Sequence, residues 1–313
     1  MKICLLVHKI KPYGPVNAFN RVKKALETIG CTVHLMEISD YIATDHLFDI
    51  CISTGIRPDF VNWISGKSDI KFFYKVNDPF EDYPLAYGVK GYLYALVHAL
   101  LFSIHARAVL CCSQSVSKTL FIKHPLLYFP QDFNVSAEKV NVGNLNRERK
   151  IILASPFSKR KRDFDLLKAI VDHGLDKRYK VIVIGDGPEK SRCVSAFGHS
   201  DIVFYPFSDT IEVFFGSGDI YCSASLSEGL PTIAMIASIN GAICLLSNIS
   251  AHQELNVLAE NVILFDSLSE VPYLLDKLLN SDYIQFQQTK LADSMSAEFF
   301  VQEFQRILND VGN

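Results

Sequence analysis

From Gly218 to Glu254 the chain reads strand, loop, helix, strand with little slack between the pieces, and this unit restricts the fold more than any other stretch. Asp219 to Ser223 is short and apolar, and the polar loop after it carries one acid, Glu228. Gly229 and Pro231 turn the chain into an apolar helix through Ile233, Met235 and Ile236. Gly241 ends that helix just before a second buried strand, Ala242 to Leu246. Strands joined by a crossover helix lie parallel, and the loop leaving the first strand's carboxyl end faces a ligand crevice. Proline suits a helix start, where free N–H groups favour anions. Glu228 thus falls where a polar ligand lies, although a solvated loop acid is the commoner fate of a lone glutamate.

The same alternation runs through the rest of the chain. Strands are expected at Lys2–Val7, Thr32–Glu37, Leu47–Ser53, Ile70–Val76 and Arg107–Cys112, with helices at Ala18–Ile29, Gly91–Ile104 and Ser113–Lys123. A polar run, Val142 to Lys150, reads as a linker. Beyond it, strands at Ile151–Ala154, Tyr179–Ile184, Ile202–Tyr205 and Val262–Leu264 repeat the pattern, and an amphipathic tail spans Ala297 to Val311. The expected class is α/β: two Rossmann-like domains at 1–142 and 143–296, each with a parallel sheet covered on both faces, and a last helix at 297–313. A length of 313 residues accommodates two domains of ordinary size.

Several strand ends carry candidate chemistry. The loop His8 to Asn17 holds Gly14 but no G-x-G-x-x-G, so it is no dinucleotide fingerprint. Asn77 and Asp78 follow the fourth strand, where an Asx turn before Pro79 and a place in the crevice are both open readings. Ser155 to Arg162 (SPFSKRKR) sets Lys159, Arg160 and Lys161 ahead of a helix N-terminus, which suits a diphosphate as well as it suits a solvated charge run. Asp163 and Asp165 form a D-x-D at a helix start, where aspartates cap, and are read as structural. His98 and His105 have no second ligand at a useful spacing and are read as core or cap residues.

Composition narrows the function class. A net charge of −3 argues against a nucleic-acid-binding surface over the whole molecule. Eight cysteines without a C-x-x-C pair point to buried thiols in the cytoplasm rather than zinc or disulfides. The apolar opening MKICLLVH is too short for a signal peptide, and the run Tyr92 to Ile104 is too short to span a bilayer. Lys9, Lys11, Arg21, Lys23 and Lys24 cluster near the first helix, where they offer either a solvated face or a peripheral contact with anionic lipid at the inner face of the membrane.

The run SLSEGLPTIAMIAS resembles the signature of retaining GT-B-fold glycosyltransferases of family 4 (glycosyl transferases group 1), S-x-x-E-G-x-P followed by E-A-M-A. Ser225, Glu228, Gly229, Leu230 and Pro231 match, while the second glutamate of the signature falls on Ile236. Asp219, Ser247 and Glu254 stand at further family positions. Lys161 aligns with the lysine of a G-R-L-x-x-x-K-G element whose arginine falls on Pro156, leaving Lys159 or Arg160 to compensate. Gly185-Asp186-Gly187-Pro188 matches a G-x-G-P turn, and Phe207 and Ser208 begin the stretch where the family holds its nucleobase.

The resemblance implies two domains facing across a cleft, a nucleotide-diphosphate sugar as donor, a saccharide or lipid-linked acceptor, retention of anomeric configuration, and neither cofactor nor metal. It assigns Lys161 to the leaving diphosphate, Glu228 to the hydroxyls of the sugar, and Gly14, Asn77 and Asp78 to the acceptor side. The last helix would cross back onto the first domain. Because two signature positions are lost, a non-catalytic partner of another glycosyltransferase stays open, as does a nucleotide-sugar epimerase of the same fold.

Overall fold

A computed structural model describes residues 1–10, 14–76, 79–104, 109–118, 125–130, 148–281 and 289–312. The chain divides into two compact units, Met1–Asp132 with Asp293–Asn313, and Phe133–Ala292. Of the expected linker, 142–147 lies outside the described residues.

The first unit contains β1 (Lys2–Val7), α1 (Gly14–Glu27), β2 (Thr32–Glu37), α2 (Ile38–Ala43), β3 (Phe48–Ser53), α3 (Ile56–Ile64), β4 (Ser68–Lys75), α4 (Pro79–Tyr87), α5 (Val89–Ile104), β5 (Val109–Cys111) and α6 (Gln114–Lys118). Its strands run parallel in the order β2-β1-β3-β4-β5. Strand side chains alternate between faces, so Phe72 and Tyr74 point one way and Phe73 and Lys75 the other. Phe19 of α1 stacks on Tyr74, and Phe72 meets Phe304 of a helix from the far end of the chain. Phe73 and Lys75 instead meet Phe102 of α5.

Gly14 opens α1 rather than lying in the loop expected there. Pro15 in the first turn explains the early start, since its fixed φ is helical and its missing N–H would have had no partner. Pro79 likewise begins α4, with Glu81 and Asp82 in its first turn. Asn77, Asp78 and His105 lie outside the described residues.

The second unit contains β6 (Lys150–Ala154), a 3-10 turn at Lys159–Lys161, α7 (Asp163–Asp172), α8 (Leu175–Arg178), β7 (Lys180–Ile184), α9 (Lys190–Phe197), β8 (Ile202–Tyr205), β9 (Ile220–Ser223), α10 (Thr232–Ile239), β10 (Ile243–Ser247), α11 (Ser250–Leu258), β11 (Val262–Phe265) and α12 (Val271–Asn280). Its six strands are parallel in the order β11-β10-β9-β6-β7-β8. Ile151, Leu153, Val181, Val183, Ile220 and Leu245 form one core layer under Leu166, Leu167 and Ile170 of α7 and Leu275 of α12. Burying each such side chain contributes about 1.5–3 kcal/mol. On the opposite face Cys244 meets the backbone of α10. The chain then continues into α13 (Thr289–Ser294) and α14 (Ala297–Gly312), and α14 completes the first unit beside α1.

Candidate functional site

The second sheet changes direction at β6: β7 and β8 extend to one side of it, β9 to β11 to the other. The connections leaving β6 and β9 therefore depart to opposite faces, and the gap between their carboxyl ends is where a parallel sheet takes its ligand. Both loops singled out from sequence start there. After β6 come Ser155 to Arg162; after β9 come Ala224 to Pro231.

The two loops are tied together. The Leu226 N–H donates to the Arg160 carbonyl (2.9 Å), and the Arg160 guanidinium donates to the Ser227 carbonyl. The Lys161 ammonium closes on Glu228 Oε1, Arg160 reaches Glu228 Oε2 at 3.4 Å, and the Ser225 hydroxyl donates to Oε1 at 2.7 Å. Burial pushes the Glu228 carboxyl up, but the charges of Lys161 and Arg160 outweigh it and hold the pKa at about 2. Glu228 is thus an acceptor-only carboxylate at neutral pH.

A third connection braces this pair. Ser247, the last residue of β10, donates its hydroxyl to the Ser225 carbonyl at 2.6 Å. His252 of α11 is buried and directs Nδ1 at the Ser247 carbonyl, 2.7 Å away. A carbonyl only accepts, so Nδ1 carries the proton. Burial lowers the His252 pKa, against the attraction of Glu228.

The loop after β6 has an unusual backbone. Arg162, between the 3-10 turn and α7, adopts the left-handed region at φ 55°. Ser155 and Asp163 support that shape: the Ser155 hydroxyl accepts from the Phe157 N–H (3.1 Å) and donates to Asp163 Oδ2 (2.6 Å). Burial raises the Asp163 pKa to about 6. Asp165 is exposed beside Arg162. The D-x-D therefore anchors a loop, and among the described residues no group of three or more His, Cys, Asp or Glu is placed to hold a metal ion.

The turn after β7 meets the loop after β6 backbone to backbone. Gly185 has φ 135°, and a Cβ there would overlap the Ser155 carbonyl oxygen; one on Gly187 would strike the Pro156 carbonyl. Only glycine permits this approach. The Glu189 N–H, one residue after Pro188, donates to the Phe157 carbonyl at 2.9 Å. Asp186 accepts from the Phe207 N–H at 2.8 Å, joining the turn after β7 to the loop after β8. Lys190 clamps the same junction through the Gly185 and Tyr205 carbonyls and Asp186. Phe207 is exposed, and Ser208 accepts from the Thr210 N–H in a local turn.

The residues expected from sequence divide accordingly. Arg160, Lys161 and Glu228 converge, and Gly229, Leu230 and Pro231 carry the chain from Glu228 into α10 with Pro231 as its N-cap. Gly185, Gly187, Pro188 and Phe207 shape the neighbouring backbone. Lys159 is exposed, so Arg160 is the second cation on Glu228. Ile236 is half-buried in α10. Asp219 lies at the opposite end of β9 from Glu228 and pairs with Lys150, which makes it a strand anchor. His252 and Lys190 escaped the sequence reading; the only signal for either is its position at the start of a helix behind a strand-end turn. No helix among the described residues is long and apolar enough to cross a membrane.

Residues 135–286 match the family model for glycosyl transferases group 1. No curated protein sequence matches the chain. Among solved structures, the chain is similar to HepE of Anabaena, crystallised with UDP and glucose, at 14% identity and a TM-score of 0.73 over 99% of each chain. Sucrose-phosphate synthase from Thermosynechococcus elongatus gives a TM-score of 0.76 at 11% identity, over 99% of this chain and 98% of that one. AviGT4, a glycosyltransferase involved in avilamycin A biosynthesis, gives 0.65 at 12% identity over 99% and 98%. The chain therefore has the α/β fold of GT-B glycosyltransferases, with two parallel-sheet domains, and its second unit carries the match to glycosyl transferases group 1.

Proposed function

We propose that the protein is a retaining glycosyltransferase of family 4 that moves a hexose from a nucleotide-diphosphate sugar to a saccharide or lipid-linked acceptor. The observation that carries this reading is the convergence of Lys161 and Arg160 on Glu228 at the switch point of the second sheet. Two cations against one carboxylate leave a surplus positive charge beside the N-terminal end of α7, which is the setting a diphosphate requires.

In this reading Lys161 and Arg160 hold the diphosphate as the bond from the anomeric carbon to its oxygen breaks. Charge that develops on the leaving oxygen is met by donors already in place. Glu228 accepts hydrogen bonds from hydroxyls of the sugar and fixes its orientation. The acceptor oxygen bonds to the anomeric carbon, and its proton leaves with the diphosphate. The lysine and arginine charges supply the neutralisation that a metal ion otherwise would, so transfer proceeds in EDTA.

A thermal-shift panel of uridine, guanosine, adenosine and cytidine diphosphates tests the donor site. Ligand at a hundredfold excess over its Kd stabilises by about 2.7 kcal/mol, a shift of several degrees. One nucleotide standing out identifies the base, and its sugar conjugates then serve for product analysis with anomeric assignment by NMR. No shift with any of the four at millimolar concentration overturns the reading.

A further inference from the structure

Helix α5 is apolar on both sides. Gly91, Ala95, His98, Ala99 and Phe102 face the core, at helical spacing. The opposite stripe, Val89, Tyr92, Leu93, Leu96, Val97 and Leu100, has the same spacing, yet its side chains are 45% to 87% exposed. Tyr87 of α4 packs edge-on against Tyr94 and extends the exposed surface. From Tyr83 to Ile104 the one residue among Asp, Glu, Lys and Arg is Lys90. A surface helix ordinarily puts charge on its outer face, and contiguous apolar patches beyond a few hundred Å² mark interaction sites.

We propose that this stripe is a homodimer interface, in which α5 of one chain packs antiparallel against α5 of a second copy.

Three features select a second copy. The six stripe residues with Tyr87 and Tyr94 are each 40% to 87% exposed, an apolar surface of the order of the ~800 Å² that one partner contributes to a stable interface. It is also self-complementary, as a two-fold axis demands: apolar meets apolar, and no acid on either helix opposes another. The Lys90 residues of an antiparallel pair lie more than about 10 Å apart along the helix axes, beyond the Debye length at physiological salt.

A lipid surface fits less well. Stable docking on anionic lipid combines apolar burial with several cations. The basic residues Arg21, Lys23 and Lys24 belong to α1, whose Phe19 covers the Tyr74 side of the first sheet, whereas α5 covers the Phe73 and Lys75 side. The cations and the apolar stripe lie on opposite faces.

Size-exclusion chromatography with light scattering, and sedimentation velocity across the micromolar range, test the proposal on the full chain. The expected mass is near twice the 35.2 kDa of one chain. The variant carrying Leu93→Glu and Val97→Glu places four carboxylates at the interface and should run as a monomer. Both positions are exposed, so its circular-dichroism spectrum should equal that of the parent. A parent monomeric throughout the range, or a variant that stays dimeric, overturns the proposal. Co-sedimentation of a monomeric parent with vesicles of phosphatidylcholine and phosphatidylglycerol, lost in the variant, would instead make lipid the occupant.

Discussion

Lys161, closing the 3-10 turn after β6, forms an ion pair with Glu228, which lies 67 residues further along in the loop after β9. Neither residue sits on a strand or an α-helix, so each is positioned by the turn that carries it. Ser155 and Asp163 hold the lysine's loop; Ser225 and Ser247 hold the glutamate's. The pair is only partly accessible, and removing one partner from such a pair costs more than forming it gains.

Glu228→Gln separates binding from transfer. On the proposed reading, an incoming diphosphate competes with Glu228 for Lys161 and Arg160 in the parent. The amide keeps the shape but withdraws the competing charge, so inorganic pyrophosphate and nucleoside diphosphates should bind more tightly, while transfer falls at least about tenfold for the lost sugar contact. Calorimetric titration with pyrophosphate reads the first effect and product formation the second. Unchanged values for both would remove Glu228 from the site.

Lys161→Ala should weaken binding of a nucleoside diphosphate by about tenfold or more and leave the nucleoside nearly unaffected, since the nucleoside has no phosphate to contact. Without the lysine the Glu228 carboxyl loses its strongest stabilising charge and should titrate at higher pH. Equal losses for nucleoside and diphosphate would place Lys161 away from the phosphates.

Gly185→Ala tests the contact between the two strand-end turns. Its Cβ would overlap the Ser155 carbonyl at a φ that alanine avoids. We expect a loss of about 2 kcal/mol or more in stability by urea unfolding. The loop bearing Lys161 should also shift, so that donor affinity falls along with stability. A variant as stable as the parent would show that the two backbones are not in contact.

The strands were legible because buried parallel strands read as uninterrupted apolar runs, such as ICLLV, VIVI and ICLL. Glu228 and Lys161 were legible because each is a charged residue at the end of such a run, inside a recognisable spacing. What the sequence concealed depends on partners distant along the chain. Nothing local marks His252 as the brace behind Ser247, or Lys190 as a clamp on Tyr205. The helix starts at Gly14 and Pro79 were hidden by residues that usually signal loops; in both cases proline in the first turn is compatible with helix. His98 read as a core residue, but its companions could not be read: Asp59 comes from α3, Lys75 from β4 and Tyr83 from α4.

That last cluster makes the first unit sensitive to acid. His98 Nε2 lies 2.9 Å from Asp59 Oδ2, and Lys75 Nζ lies 2.9 Å from His98 Nδ1. Ser53 donates to the other oxygen of Asp59 at 2.7 Å. All four side chains are buried. Burial, reinforced by the Lys75 charge, lowers the His98 pKa from 6.5 to about 4, and burial lowers that of Lys75 to about 8. A histidine with a depressed pKa is neutral in the folded chain while the unfolded chain takes up a proton near 6.5. Between pH 6.5 and about 4 the unfolded state therefore binds more protons, and stability falls as pH falls, by about 1.4 kcal/mol per unit through the middle of that window. His98→Gln can still hydrogen-bond but cannot titrate there. Its stability should be lower than the parent's at pH 7.5 and should decline less between pH 6.5 and 5, a range lying above the ordinary titration of exposed carboxylates. Urea unfolding of both chains at half-unit steps of pH measures the two slopes. Parallel slopes would mean that His98 takes up its proton in the folded state as readily as in the unfolded one.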